Sequence, residues 1–309
     1  MKLYFAPLEG ITGYIYRNAF HKAFNPKIDK YFSPFISPGV NQPLTPKELR
    51  DIHPDNNKGI CLVPQILANN PDDFLLATKY IKELGYDEVN LNLGCPSGTV
   101  VAKKKGSGLL GELDMLERML DKIYGTTDMK VSVKTRIGKE SPEEFPEILR
   151  IFNKFPMEEL IIHPRVRSDF YKNTPNMEMF SLAVKESKHF LCYNGDVVKA
   201  DGFRNIEEQY PSVDAVMIGR GFLQNPMLAN EITEGTNPDM ATIKYFHDLV
   251  MEGYIEIMSG ERPVLFKMKE LWCYLTKMFP EAEKQAKKIR KAEKLSVYRE
   301  VVEELFERR

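Results

Sequence analysis

The sequence predicts an α/β protein, a (β/α)8 TIM barrel followed by a small C-terminal all-helical domain. Three observations carry this expectation. Short β-branched or aromatic runs alternate with longer helix-like segments almost from the first residue, which implies parallel strands joined by right-handed crossovers. Eight such units end near residue 230. From Asp239 onward the strand-like runs cease. An open doubly wound sheet is the competing arrangement. The 309 residues fit one barrel of roughly 250 residues with an appendage.

In chain order the strand-like runs are LYFAPL, YFSPFI, CLVPQIL, EVNLNL, MKVSVKT, ELIIHP, HFLCYN and AVMIGR. Helical patterns lie between them at Pro71 to Leu84, Glu112 to Ile123, Pro142 to Phe152 and Ala200 to Gln209. Asn70-Pro71-Asp72-Asp73 and Ser141-Pro142-Glu143-Glu144 each place a cap, then proline, then acids at the positive end of the helix dipole. The segment GTNPDM, residues 235 to 240, interrupts periodicity and divides the chain into residues 1–238 and 239–309. Met240 to Met258, Pro263 to Met278, Glu281 to Lys294 and Ser296 to Phe306 are the helix candidates of the tail.

Composition narrows the class. Hydrophobic residues make up 43 % and charged residues 28 %, which excludes global disorder. No apolar run reaches 18 residues, and MKLYFAPLEG lacks the core of a signal peptide, so a soluble cytoplasmic protein without membrane contact is expected. Cys61, Cys95, Cys192 and Cys273 form no CxxC pair, and neither a disulfide scaffold nor a metal site is expected. Cys61, Cys192 and Cys273 read as buried apolar residues; Cys95 stands apart, between Gly94 and Pro96 just past a strand. Residues 1–238 carry 29 basic and 31 acidic residues and the remainder 14 and 13, so any polyanion contact must be local. Lys284, Lys287, Lys288, Arg290, Lys291, Lys294 and Arg299 face only Glu293 within residues 284–299. Helical spacing aligns Lys284, Lys287, Lys288 and Lys291 in a stripe, either a solvated face or a phosphate-contacting surface.

In a barrel, function is expected where strands end and βα loops begin. Polar residues gather there: Glu9 after Pro7-Leu8, Gln65, Asn90 with Asn92 and Cys95, Lys134 with Arg136, His163 with Arg165, Asn194-Gly195-Asp196, and Gly219-Arg220-Gly221. Gly195 and the Gly219-Arg220-Gly221 turn follow the last two strands, the usual phosphate site of this fold, although a tight turn explains the glycines equally well. A phosphorylated cofactor such as FMN is the natural candidate, with Lys134 near the pyrimidine edge of its ring.

The chain resembles the dihydrouridine synthases, flavoenzymes that reduce uridine to 5,6-dihydrouridine in RNA. The resemblance rests on APLEG (6–10), NLNLGCPSGTVVAKKKGSGLL (90–110), VSVKTRIG (131–138), IIHPRVR (161–167), YNGD (193–196) and DAVMIGRG (214–221). It implies that NADPH or NADH reduces FMN, that flavin N5 delivers hydride to uracil C6, and that Cys95 protonates C5. It further implies FMN contacts from Pro7, Leu8, Glu9, Gln65, Lys134, His163, Asn194, Gly195, Asp196, Gly219 and Arg220. Asn92, Arg136 and Arg165 would serve the substrate. The helical tail would be an RNA-binding domain, the partner tRNA, and the protein a monomer. Ribosomal RNA, or free pyrimidines for a related flavin enzyme, are the alternative substrates, and a non-catalytic RNA-binding barrel is disfavoured by the intact Cys95, Lys134 and His163. The Gly94 to Gly98 loop would let Cys95 close over an extruded base. Departures from the family pattern are Gly98 where lysine is common, Pro164 and Val166 around the sixth-strand motif, and YFSPFI without Thr-Glu.

Overall fold

In the computed structural model, which describes residues 1–39, 42–236 and 239–307, the strand-forming runs pair in parallel from the N terminus. β1 (Lys2–Phe5), α1 (Tyr14–Phe24), β2 (Lys30–Phe32), α2 (Pro46–Ile52), β3 (Leu62–Val63), β4 (Gln65–Ile66) and α3 (Pro71–Glu83) open the chain. β5 (Glu88–Leu93), α4 (Gly98–Val101), α5 (Leu113–Tyr124), β6 (Lys130–Gly138), α6 (Phe145–Phe152), β7 (Leu160–Val166) and α7 (Met177–Glu186) follow. β8 (Leu191–Asn194), α8 (Ala200–Gln209), β9 (Ala215–Ile218), α9 (Arg220–Gln224) and α10 (Leu228–Glu234) complete the strand-bearing part. The tail is α11 (Met240–Ile257), α12 (Glu261–Leu275), α13 (Glu283–Lys291) and α14 (Leu295–Glu307). The expected division after Pro238 lies outside the described residues.

The sheet runs β3-β2-β1-β9-β8-β7-β6-β5-β4, and its two ends are consecutive in the chain. Pro64 separates them. It has no N–H for the ladder, so one physical strand is split into two short pieces, yet its carbonyl still accepts the Asn90 N–H at 2.9 Å. Leu62–Ile66 therefore closes the ring, and eight strands form the expected barrel. Each strand is buried on both faces, as helix-covered parallel strands must be. Tyr4, Ala6, Phe32, Val63, Ile161, Cys192, Ala215 and Met217 fill the barrel, while the larger apolar core lies between sheet and helices.

Local chemistry explains the helix starts. Thr45 caps α2 in a capping box with Glu48, Asn70 caps α3 ahead of Pro71, and Asn176 and Asp239 cap α7 and α11. Two cysteine expectations are corrected. Cys192 is buried, but Cys61 and Cys273 are exposed. Cys61 precedes β3 at the open end of the strand, and Cys273 lies on the outer face of α12 while its neighbour Trp272 faces the core.

The tail is seated on the barrel through aromatic contacts. Phe246 of α11 meets Tyr16 and Phe24 of α1 with ring centroids 5.2 and 5.3 Å apart. Gly253 lets the helices approach so closely that a Cβ there would sit 2.8 Å from Ile15 Cγ2. Inside the tail, Trp272 Nε1 donates to the Tyr298 hydroxyl at 2.7 Å, and His247 Nε2 lies 2.5 Å from the same oxygen. This buried polar cluster joins α11, α12 and α14.

At the bottom of the barrel, Lys30 Nζ donates to Glu88 at 2.7 Å and Glu159 at 3.0 Å, and the Tyr4 hydroxyl donates to Glu159 at 2.6 Å. Burial pushes the Glu88 carboxyl above its usual range, opposed by Lys30. Lys30→Met leaves two buried carboxylates without a counter-charge and is expected to lower unfolding free energy by about 3–5 kcal/mol at neutral pH. Without the lysine the Glu88 carboxyl is raised further in the folded state, so the deficit is full at neutral pH and shrinks on acidification as it takes up a proton. Denaturant titrations at several pH values check this; a pH-independent difference would overturn it.

Candidate active site

The C-terminal ends of the strands surround a cleft of about 380 Å³. Pro7, Leu8 and Glu9 enter it from the loop after β1, Gln65 from β4, Asn92 and Cys95 from the end of β5, and Lys134 and Arg136 from β6. His163 comes from β7, Asn194 and Gly195 from the end of β8, and Gly219 and Arg220 from the end of β9. Two anticipated residues do not line the cleft: Arg165, which is 1 % exposed, and Asp196, which is exposed. Pro34, Phe35, Phe170, Tyr171 and Tyr274 also line the cleft and were not anticipated. An aromatic pair in the polar loop after IIHPRVR is a usable signal for Phe170 and Tyr171. Tyr274 reaches the cleft from α12, and only tertiary docking brings it there.

Cys95 is held by its backbone. Asn92 Oδ1 accepts the Gly94 and Cys95 N–H groups at 3.0 and 2.9 Å. The Cys95 carbonyl accepts Ser107 N–H at 3.1 Å and the Ser107 hydroxyl at 2.7 Å. Gly106 has φ +56°, and a Cβ there would lie 2.9 Å from the Cys95 oxygen, so the turn tolerates no side chain. The expected loop after Cys95 is partly helical, because Val100 and Val101 N–H close a turn onto the Ser97 carbonyl. Burial pushes the thiol above its ordinary range, which keeps it protonated at neutral pH.

Asn92 itself is tied down, donating to Gln65 Oε1 at 2.6 Å, while Gln65 Nε2 donates to Asn90 at 2.8 Å. Arg136 spends its guanidinium on three backbone carbonyls, those of Gly94 at 2.9 Å and of Val166 and Phe170 at 2.8 Å. Arg165 forms a two-pronged ion pair with Asp196, which also receives Arg220 at 2.6 Å. Arg165 lies 2.9 Å from His163 Nε2. A guanidinium can only donate, so this nitrogen is the acceptor and the imidazole proton belongs on Nδ1. Burial and the cations Arg136, Lys134, Arg165 and Arg220 hold His163 well below its usual range, hence neutral. Arg220 stacks over the Tyr171 ring at 4.4 Å.

Lys134 is the contrasting group. Its ammonium makes no hydrogen bond or ion pair among the described residues, and burial, with Arg136 nearby, brings it down to about 8. Neither Gly195, after β8, nor Gly221, after β9, leaves room for a side chain. A Cβ on Gly195 would lie 2.0 Å from the Tyr193 hydroxyl, and one on Gly221 would lie 2.2 Å from the Val197 carbonyl. Asn194 Nδ2 ties the two strand ends by donating to the Met217 carbonyl at 2.8 Å. The cleft thus combines a protonated thiol, a neutral imidazole, an uncompensated cation and a glycine-lined recess.

Comparison with known proteins bears on the family and the fold. A family model described as dihydrouridine synthase matches residues 4–308. A probable tRNA-dihydrouridine synthase of Staphylococcus aureus strain Mu50 is 28 % identical over 259 residues, covering 78 % of this chain and 75 % of the relative. The tRNA-dihydrouridine synthase B of Pasteurella multocida is 29 % identical over 229 residues, 74 % of this chain and 67 % of that one. Among solved structures, morphinone reductase in complex with tetrahydroNAD aligns over 78 % of this chain and 89 % of its own, with TM-score 0.53 and 13 % identity. The old yellow enzyme of Trypanosoma cruzi aligns over 84 % and 94 %, with TM-score 0.53 and 10 % identity. At such identity these two bear on the fold alone.

A partly desolvated ammonium without a counter-charge costs stability, so Lys134→Met is expected to stabilise the ligand-free protein at pH 7. The folded-state value of about 8 lies below the roughly 10.4 of an unfolded lysine. Wild-type stability therefore rises with pH between these values, and the advantage of the variant shrinks over the same interval. Denaturant unfolding of flavin-free protein from pH 7 to 10 reads this out; a destabilised variant at pH 7 would count against the uncompensated charge.

Proposed function

The chain belongs to the dihydrouridine synthase family, and from that premise we propose that it reduces uridines of tRNA to 5,6-dihydrouridine, with FMN as its flavin and NADPH or NADH as reductant. As a family member it is an enzyme, an oxidoreductase acting on a CH–CH bond. The observation that carries the reading is the joint presence, in one cleft, of a thiol kept protonated and a partly buried ammonium without a counter-charge.

The residues fit a flavin mononucleotide. Lys134 lacks an electron-rich neighbour and would find one in the flavin pyrimidine edge. Pro7 and Leu8 offer an apolar wall for the ring, with Glu9 at its rim, and Gln65 has an amide hydrogen left to donate. His163, neutral and acceptor at Nε2, holds its remaining proton at Nδ1. The recess at Asn194, Gly195 and Gly219 suits a phosphate, with Arg220 as counter-charge and Asp196 steering it. When bound, FMN supplies hydride to uracil C6.

The remaining chemistry falls to the chain. Cys95 Sγ holds the proton that C5 requires once charge builds on the C4 carbonyl, and it acts as general acid, not as nucleophile. Asn92 fixes the direction in which Cys95 leaves its strand and presents its remaining amide hydrogen to the uracil. Arg136 borders the substrate side, and Arg165 supports it from behind through Asp196 and His163. The base must leave its stack to enter the cleft. Residues 239–309 serve as the RNA-binding part. The Lys287 and Lys288 ammonium groups are exposed and only loosely paired, at 3.8 Å from Glu283 and 3.4 Å from Glu304. That stripe favours RNA over a free pyrimidine. The protein works as a monomer in the cytoplasm, and no helix among the described residues is long and apolar enough to cross a membrane.

Cys95→Ala is expected to keep its flavin while dihydrouridine formation falls by about 10²–10⁴-fold, read by mass spectrometry of tRNA nucleosides. Undiminished turnover would remove Cys95 as the acid. Charge reversal at Lys287, Lys288 and Lys291 is expected to weaken tRNA binding and to make its salt dependence shallower by about one per lost phosphate contact. Unchanged binding would return the stripe to a solvated face.

A further inference from the structure

A second pocket of about 330 Å³ adjoins the active-site cleft, with Glu9, Pro34 and Phe35 as the shared wall. The barrel supplies Tyr14 and Phe35 to it, and the tail supplies Tyr254 and Ile257. Its charges divide into committed and free. Asp51 is bound by Arg17 at 3.1 Å and by the Tyr14 N–H at 2.6 Å. Glu48 accepts the Ser37 and Thr45 N–H groups at 2.9 and 2.7 Å. Lys267 donates to the Gly10 carbonyl at 2.6 Å and to Glu270 at 2.8 Å. Lys47 and Arg50, three apart on α2 and so neighbours on one helix face, are exposed, and their charged groups make no hydrogen bond or ion pair among the described residues. Glu9 keeps solvent contact at the rim, yet lost hydration on its inner side pushes its carboxyl up, with Lys47 the main opposing charge. The pocket therefore combines aromatic side chains with two cations that no carboxylate pairs directly.

We infer that this pocket holds the ribonucleotide adjoining the uridine under reduction. The base lies against Tyr14, Phe35 and Tyr254, and the linking phosphate lies on Lys47 and Arg50. Stacking on aromatic faces with phosphate on flexible cations is how single-stranded RNA is gripped without a demand for one base. An extruded uridine drags its neighbour with it, and the shared wall spans the short step between the two pockets. The inference rests on the proposed reduction of RNA uridines, whose target must occupy the first cleft.

The test uses flavin-loaded enzyme, an unmodified tRNA transcript as probe, and two variants, Lys47→Glu/Arg50→Glu and Ile257→Trp. Ile257 is 38 % exposed, so tryptophan there fills the pocket without disturbing the core. Both variants are expected to raise KM for the transcript by on the order of tenfold, with kcat moving far less. Only the charge variant makes the salt dependence of binding shallower, by about one for the single linking phosphate. Unchanged KM and slope in an enzyme that still forms dihydrouridine would overturn the subsite alone. A raised KM for the nicotinamide nucleotide instead would assign the pocket to the reductant and overturn it too. If the wild-type enzyme forms no dihydrouridine on any RNA, the functional reading falls and the subsite falls with it.

Discussion

Asn92 Oδ1 accepts two consecutive backbone N–H groups, those of Gly94 and Cys95, and its Nδ2 donates to Gln65. The thiol is thereby aimed by a side chain rooted in the barrel wall. The connection continues downward without a gap: Gln65 donates to Asn90, Asn90 to Ser132, Ser132 to Glu88, and Glu88 meets Lys30. Interiors of such barrels are ordinarily packed with branched apolar side chains. Here a file of amides and a hydroxyl joins the ion cluster at one end to the reactive loop at the other. Each member satisfies the next, which is the condition under which buried polar groups confer rigidity and not a penalty.

Above that file the mouth is governed by an excess of cations. Lys134, Arg136, Arg165 and Arg220 converge there, and Asp196 is the carboxylate that receives two of them. Burial, reinforced by that surplus, keeps His163 neutral. Arg136 and Lys134 also favour the thiolate of Cys95, yet burial outweighs them and the thiol stays protonated. Desolvation is thus the decisive influence on the acid and on its neighbours alike, and repulsion among the cations adds to it.

The strands were legible because aromatic and β-branched runs ending in polar residues recur in step with the barrel. The helix start at Asn70 was written locally, in a cap followed by proline. Closure at Pro64 was not, since joining β2 to β5 through one kinked segment is a relation between distant residues. Apolar neighbours in sequence misled for Cys61 and Cys273, because adjacency along the chain does not say which face a side chain takes. The candidate site was legible wherever it sits at a strand end, as with Cys95, Lys134 and His163. Tyr274 and the pocket beside α2 were not, because both depend on how the helical tail lies against the barrel.

The aromatic seam between α1 and α11 bears on how such a chain can be inherited. Tyr16, Phe20 and Phe24 turn their rings toward Phe246 and away from water. A barrel cut free of its tail would present that patch to solvent and invite association with other chains. A foreign tail would have to reproduce both the ring spacing and the glycine contact at Ile15. Recombination that swaps one part without the other is thereby selected against. Divergence in what the tail contacts must proceed through its outer surface, one substitution at a time, while the seam stays as it is.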